Sequence, residues 1–352
     1  MRAPSGHILI TGGAGFVGTN LADRLLGDGR RVVVFDNLSR PGVEENLHWL
    51  QARHGGRVMA MVADVRDADA LRVALAGVEA VFHLAGQVAV TTSVELPLED
   101  FDVNLRATLM LLEELRRLPR PVPLLFTSTN KVYGSLPDVP LHRCADRWEP
   151  VDHELRDRGI GERRRLDFCT PYGCSKGGAD QYVLDYANTF GLPAVVFRMS
   201  CIYGEHQHGT EDQGWLAHFL IRTRTGAPVT VYGDGAQVRD VLFVTDLVDA
   251  MLRVSIDADR LAGRAFNLGG GPANTLSLLE LLQLIEEIRG EPSAVTFAEE
   301  RAGDQRWYVA DTSQLRAETG WRPLVDAEDG VEALERWVAG RETSALSAAK
   351  AS

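Results

Sequence analysis

No apolar run in the 352 residues approaches the ~20 that a membrane-spanning helix requires, so no membrane partner is expected. Basic charge is also short. Lys and Arg number 37 against 49 Asp and Glu, a formal net charge of −12. That balance argues against general affinity for nucleic acid or anionic membranes, and an anionic substrate would have to be met by local basic groups. Cysteine is scarce: Cys144, Cys169, Cys174 and Cys201 form no CxxC pair, and no His/Cys cluster has zinc spacing, so no metal site is expected. Free thiols in a reducing cytoplasm fit this usage. No secretory pattern precedes His7, where strand-like residues begin, and no internal repeat is visible. What remains is ordinary globular composition, 45% apolar and 24% charged, in a chain long enough for one large domain with a smaller lobe.

Short β-branched runs alternate with helical stretches. Strands are predicted at His7–Thr11, Arg31–Phe35, Val58–Met61, Ala80–His83, Pro123–Phe126 and Ala194–Phe197. Helices are predicted from about Gly15 to Gly27, over Leu98–Leu118 and over Tyr172–Phe190. This rhythm implies an α/β fold, a Rossmann-type doubly wound parallel sheet with helices on both faces. Beyond Arg198 loops lengthen, and helices near Gly214–Thr225 and Leu276–Arg289 suggest a smaller C-terminal substrate-binding lobe. The expected division is 1–198, with 236–270 returning to it, for the dinucleotide-binding part. The lobe takes 199–235 and 271–340, and 341–352 forms a flexible tail. Between Ser135 and Thr170 a long charged stretch has little periodicity, which reads as a functional loop or as disorder.

Thr11-Gly12-Gly13-Ala14-Gly15-Phe16-Val17-Gly18 follows the first strand directly and opens the first helix. Gly12, Gly15 and Gly18 permit a tight turn and close approach to a pyrophosphate, and the amides of Phe16 and Val17 lie at the positive end of the helix. Asp36 ends the second strand, placed to accept both ribose hydroxyls of an adenosine and to repel a 2′-phosphate, which favours NAD over NADP. Arg40 nearby is the one residue that argues the other way.

Tyr172 and Lys176 are spaced i, i+4 and share a helix face. A free phenol is a poor base at neutral pH; an ammonium beside it and a positive nicotinamide would favour phenolate, able to take a proton from a sugar hydroxyl. The segment Thr127-Ser128-Thr129-Asn130-Lys131-Val132-Tyr133-Gly134 resembles the one that carries the catalytic Ser/Thr in extended short-chain dehydrogenases/reductases. The resemblance assigns that role to Thr129, whose hydroxyl would steady the developing alkoxide. It also implies that Asn37, Asp64 and Val65 hold the adenosine end and that Leu84, Ala85, Gly86 and Gln87 line the cofactor. Related 4,6-dehydratases carry Asp-Glu where this chain has Asn130-Lys131, so the acid/base pair for elimination is missing and epimerisation is expected.

Longer stretches resemble the CDP-tyvelose (CDP-paratose) 2-epimerases. They include Asp36–Arg40, Asn46–Leu50, His83–Ala89, Leu166–Phe168, Pro171–Gly177, Asp180–Tyr182, Asp212–Trp215 and Gly235–Leu242, and the likeness runs from about Ile8 to Trp337. It departs at Met199, Cys201, Glu205 and the charged loop around Arg156–Arg165. It implies a nucleotide-sugar substrate, a CDP-sugar for preference, and NAD kept through the cycle. It also implies a homodimer or homotetramer built on the helices Leu98–Leu118 and Tyr172–Phe190. Arg239 and Arg301 suit diphosphate oxygens because a guanidinium grips them in a fork. Trp215 could stack on a base beside Gln213. Gln87, Thr91, Thr92, Ser93, Thr129, Asn130 and Lys131 are the remaining substrate candidates, Ser93 serving equally well as a helix cap. A UDP-hexose 4-epimerase and a catalytically silent NAD- and sugar-nucleotide-binding regulator are the competing readings; the intact Thr129, Tyr172 and Lys176 argue against the regulator.

Overall fold

The computed structural model describes residues 6–301 and 303–351, with side chains through Arg341. Five-residue apolar runs set the frame: β1 (His7–Thr11), followed by α1 (Phe16–Gly27), then β2 (Val32–Asp36), α2 (Val43–His54) and β3 (Val58–Val62). After α3 (Ala68–Ala74) and β4 (Val78–His83) come the short helices α4 (Val90–Glu95) and α5 (Pro97–Phe101). A π-helical turn, Asp102–Arg106, leads into α6 (Ala107–Arg116) and β5 (Leu124–Thr129). The hairpin β6 (Leu141–Cys144) and β7 (Arg147–Pro150) and helix α7 (His153–Arg158) precede α8 (Thr170–Phe190), β8 (Ala194–Met199), β9 (Cys201–Tyr203) and α9 (Trp215–Arg224). The chain continues through β10 (Val229–Tyr232), β11 (Val238–Phe243), α10 (Val244–Ile256), α11 (Ala258–Leu261) and β12 (Arg264–Leu268). It ends with β13 (Thr275–Ser277), α12 (Leu278–Arg289), β14 (Val295–Ala298), β15 (Trp307–Tyr308), α13 (Ser313–Thr319) and α14 (Ala327–Ala351).

Seven strands form one parallel sheet in the order β12-β8-β5-β4-β1-β2-β3. Strands such as β1 and β5 are buried along their whole length, which is why they read as continuous apolar runs rather than alternating ones. Separate apolar layers cover the two faces. Leu21, Leu25, Leu47 and Met251 belong to one layer; Leu71, Leu111, Leu115 and Val183 belong to the other. The order reverses between β1 and β4, which opens a crevice at the carboxyl ends of those strands, the place where doubly wound sheets take ligands. A further core gathers Leu216, Phe219, Val231, Leu281, Ile285 and Leu334 around a second, four-stranded sheet of β9, β11, β13 and β15. Helix α12 starts there with a reciprocal Ser277–Glu280 capping box.

Three expectations change. The helix predicted over Leu98–Leu118 carries a π-helical segment, Asp102–Arg106, between α5, which Pro97 opens, and α6, with helical dihedrals kept at both junctions. The stretch from Ser135 to Thr170 is neither disordered nor structureless: its hairpin registers Leu141 with Pro150. Trp148 N–H is bonded to Ala236 O at 2.8 Å, and Ile160 is bridged to Ala310. Within 236–270, β11 belongs to the second sheet, and only α10 through β12 returns to the large one. The backbone of α14 continues to Ala351, while the side chains of 342–351 and all of residue 352 in the expected tail lie outside the described residues.

Candidate active site

The turn after β1 is shaped by close approach. Gly12 has φ +68°, and a Cβ there would lie 2.8 Å from Ala85 N, in the chain leaving β4. A Cβ on Gly18 would lie 2.3 Å from Gly12 O. Glycine at both positions therefore lets α1 start directly above the crevice. Gly15 caps α1 with extended dihedrals, and the N–H groups of Phe16, Val17 and Gly18 in the first turn have no carbonyl inside the helix.

Asp36 fixes the other side. Its carboxylate accepts from Ala14 N at 3.1 Å and Leu38 N at 2.9 Å, so the end of β2 is tied to the glycine turn. Burial pushes its pKa up against these bonds and against Arg40. Asp64 is gripped in a fork by Arg66 at 2.8 Å and 2.8 Å and receives Asn37 Nδ2 at 3.0 Å. The Arg66 bonds hold its carboxyl well below the usual carboxylate range. Asp64 does not cap the next helix, because Asp67 does.

Every residue expected to hold the cofactor lines a single cavity of about 620 Å³: Gly12, Gly15, Phe16, Val17, Gly18, Asp36, Asn37, Asp64, Val65, Leu84, Ala85, Gly86, Gln87, Tyr172 and Lys176. An elongated dinucleotide fits this set. The free amides and glycine surface suit a pyrophosphate, Asp36 suits a ribose diol, and Tyr172 and Lys176 stand at the far end.

Tyr172 is buried at the start of α8, with its phenol beside Thr129. Burial pushes the phenol up to about 12, with Thr129 working in the opposite direction. The expectation that the ammonium sits beside the phenol changes here. Lys176 Nζ donates to Thr127 O at 2.6 Å and lies 4.3 Å from the centre of the Phe126 ring. The two residues share a helix face, but the lysine stem turns to the last turn of β5. Burial pulls Lys176 down to about 8, so its charge changes near the physiological range.

The substrate candidates are scattered more widely. Thr129 ends β5, and its Oγ1 accepts from Lys131 N at 3.2 Å. Asn130 Nδ2 donates to Gln305 Oε1 at 3.2 Å, and Gln305 in turn donates to Gly134 O at 2.6 Å. Lys131 Nζ donates to Gly303 O at 3.2 Å and lies 3.6 Å from Asp304. Arg239 holds the same Asp304 carboxylate at 2.5 Å. Arg301 donates to Glu211 O at 3.0 Å, pairs with Glu211 and Asp212, and stacks 3.8 Å from the centre of Tyr232. Both arginines are thus charge-balanced within the chain. Gln213 lines the cavity.

Like Thr129, Asn130, Lys131, Arg239 and Arg301, the candidates Ser93, Thr91 and Trp215 lie off the cavity lining, while Gln87 stays in its wall with its side chain tied down. Ser93 is fully buried, donates to Val90 O at 2.7 Å and accepts Tyr172 N at 3.2 Å. It is neither a sugar ligand nor the cap of its own helix, but it fixes the entry of α8. Thr91 also turns from the cavity, and Thr92 lines it instead, because successive residues on α4 point ~100° apart. The Gln87 side chain folds onto both backbone groups of Ala89, at 2.8 Å and 2.5 Å. The Trp215 indole bonds Cys201 Sγ at 3.5 Å and packs edge-on to Phe219, so it is part of the lobe's core.

Sequence reading missed Asn46, Asn104 and the His206–His208 loop. Asn46 Nδ2 donates to Ala14 O and His206 O, both at 3.2 Å, while its Oδ1 meets His206 Nδ1 at 3.3 Å and His208 Nε2 at 3.2 Å. This one amide ties the glycine turn to a loop that lines the cavity. Gly42, at φ +84°, gives way to the His208 ring, which a Cβ would strike at 2.2 Å. Asn104, on the π-turn, clamps Gln87 through N and O at 2.9 Å each. Partners 160 residues distant leave no local signal; a helical asparagine amid apolar residues is the one hint for Asn104. No group of three or more His, Cys, Asp or Glu among the described residues is placed to hold a metal ion, and no helix among them is long and apolar enough to cross a membrane.

The sequence profile of the NAD dependent epimerase/dehydratase family matches residues 8–269. A CDP-paratose 2-epimerase of Salmonella typhi is 42% identical over 337 residues, covering 94% of this chain and 98% of that protein. A UDP-glucose 4-epimerase of Mycolicibacterium smegmatis is 33% identical, covering 92% and 95%. Among solved structures, the Thermus thermophilus UDP-glucose 4-epimerase complex with NAD superposes with a TM-score of 0.79 at 30% identity, covering 95% and 99%. A dTDP-glucose 4,6-dehydratase of Streptomyces venezuelae with NAD bound gives 0.82 at 28% identity, covering 96% and 98%.

Proposed function

Since the chain belongs to the NAD dependent epimerase/dehydratase family, we propose that it is an isomerase acting on a nucleotide sugar, inverting C2 of a CDP-linked 3,6-dideoxyhexose or close analogue through a 2-keto intermediate. The observation that carries this reading is the 42% identity, nearly end to end, with the Salmonella CDP-paratose 2-epimerase. The catalytic set Thr129, Tyr172 and Lys176, with Asn130-Lys131 in place of an eliminating acid/base pair, supports it.

Bound NAD would supply the hydride acceptor and a positive charge at the Tyr172 end of the cavity. Tyr172 takes the proton of the sugar hydroxyl and later returns it, so the phenol ends the cycle as it began. Thr129, beside that phenol, holds the reacting hydroxyl in line. Lys176 supplies charge rather than a proton. Arg239 and Arg301 are the diphosphate candidates, exchanging Asp304 and the Glu211–Asp212 carboxylates for phosphate oxygens.

In the same reading, 199–235 and 271–340 with β11 form the substrate-binding lobe, except that Leu315 of α13 and Trp321 pack into the core of the large sheet. The chain is at least a homodimer: Leu98 is 79% exposed, and Phe101, Tyr182 and Phe190 are exposed on the helices expected to pair. Light scattering at micromolar concentration tests this, and a monomeric mass contradicts it. Four unpaired thiols support the cytoplasm as its location. The 33% identity with a UDP-glucose 4-epimerase keeps one alternative. Purified protein supplied with CDP-paratose and with UDP-glucose decides between them: C2 inversion of the first is expected, and C4 inversion of the second alone would replace this reading.

A further inference from the structure

Asp100, on α5, is fully buried against the catalytic helix, and nothing in the reaction as derived uses it. Its two oxygens accept from Ser175 Oγ at 2.5 Å and from Asn104 Nδ2 at 3.0 Å, both neutral donors. Ser175 stands between Tyr172 and Lys176 on α8, with its hydroxyl also 3.2 Å from Tyr172 O. Asn104 carries the connection to Gln87 at the cavity wall. The same corner is kept tight by Gly86, where a Cβ would lie 2.9 Å from Asn104 Oδ1 and 3.7 Å from Lys176 Nζ. A buried carboxylate is thus held rigidly beside the acid/base pair by neutral donors. Burial raises its pKa while Ser175, Lys176 and Asn104 hold it down, and its own field raises the Tyr172 phenol, so any help to the phenolate runs through Lys176.

Most of the other groups around Lys176 are neutral. From β5 come the Thr127 carbonyl and the Phe126 ring. From β4 comes His83, lodged between the hydroxyls of Thr11 and Thr108 and held neutral by burial, its pKa down at about 3. The π-turn contributes neutral Asn104, and α4 contributes neutral Ser93. Tyr172, one turn back on α8, is an uncharged phenol. Asp180, one turn on, has the larger field at Lys176, but it is gripped by Arg198 from β8 through two bonds of 2.9 Å. Asp100 is the second carboxylate whose field favours a charged Lys176, and the hydrogen bonds it accepts from Ser175 and Asn104 come from neutral donors.

We propose that Asp100 is a positioning residue of the acid/base pair, the counter-charge that keeps the Lys176 side chain an ammonium inside the closed site. The inference rests on reading Tyr172 and Lys176 as the pair that handles the sugar proton. Burial alone drives a lysine neutral, and a neutral lysine cannot favour a phenolate. A carboxylate held off by one serine supplies the field without forming a contact that would draw the ammonium away from Thr127.

The composition makes a direct test simple, because the chain has three lysines, Lys131, Lys176 and Lys350. Protein labelled with 13C at lysine Cε, as purified, is titrated by NMR from neutral to alkaline pH, and a Lys131→Arg spectrum completes the assignment. In Asp100→Asn the Lys176 midpoint should fall by about one pH unit, while Asp100→Glu holds it near the wild-type value. Asp100→Ser, smaller and equally uncharged, should give the same fall should the asparagine variant fold poorly. The alkaline limb of turnover should move with the NMR midpoint, with KM little changed. An unmoved Lys176 midpoint in either folded, uncharged variant overturns the proposal. A moved midpoint with an unmoved turnover limb supports the counter-charge and contradicts the acid/base reading instead.

Discussion

Thr129 lies close enough to the phenol of Tyr172 to lower its pKa, so the start of α8 meets the end of β5 across the mouth of the parallel sheet. The contact brings together residues that both derive from strand and helix ends and that only the doubly wound topology makes neighbours. It predicts that Tyr172→Phe lowers turnover by several orders of magnitude while NAD stays bound, because no other side chain at the site can relay the hydroxyl proton. Thermal unfolding should barely change, since only one hydroxyl is lost. Turnover close to wild type would remove Tyr172 from the chemistry.

Lys176 gives the reaction its pH dependence. Its pKa lies at about 8, below that of an ordinary lysine. Below that pH the ammonium is present; above it the group loses its charge, and with it the field that favours phenolate. The turnover number should therefore fall on the alkaline side of about pH 8, by roughly tenfold per unit once the lysine is neutral. A profile flat well beyond that point, measured at saturating substrate, would show that Lys176 charge is not needed.

Asp36 ties the glycine turn to β2 and faces the adenosine end of the cavity. Asp36→Ala should weaken NAD retention on gel filtration and relax rejection of NADP. It should also lower stability by about 1–3 kcal/mol, because the amides of Ala14 and Leu38 lose their acceptor. Equal NAD affinity in both proteins would place the ribose contact elsewhere.

Asn46 predicts a separate effect. Asn46→Leu removes the amide that holds the His206–His208 loop against the glycine turn, taking one donor from His206 O and leaving Ala14 O with Thr19 Oγ1. NAD should dissociate faster, with little change in the pH profile of the enzyme that still holds it. An unchanged release rate, followed by cofactor fluorescence, would mean that the loop does not help retain NAD.

Much of this site was legible in the sequence, for a physical reason. Parallel strands covered on both faces are apolar throughout, and the turns that follow them need glycine or a short polar residue at fixed offsets. Gly12 and Asp36 could therefore be placed from the order of strands, Tyr172 and Lys176 from their spacing on one helix, and Asp64 and Thr129 from the resemblance of the segments that carry them. What failed was orientation and distance. Ser93 and Thr92 lie one residue apart, and only the start of α4 decides which one faces the cavity. The hairpin carrying Trp148 has polar, partly exposed strands too short for a period to show. Asn46, His206 and Asp304 act through contacts across the fold, where neighbours in sequence carry no trace of them.

The central claim is that C2 is inverted by taking a hydride and giving it back, with Tyr172 handling only the hydroxyl proton. Hydride held on a bound nicotinamide does not exchange with water during a turnover, whereas a proton taken from carbon does. The direct measurement uses CDP-paratose deuterated at C2, turned over in ordinary water and analysed by mass spectrometry. The account predicts that the inverted product keeps the label at C2, and that enzyme stripped of NAD is inactive until NAD alone is restored. Loss of the deuterium to solvent would contradict the hydride route, and with it the roles given to Tyr172 and Thr129.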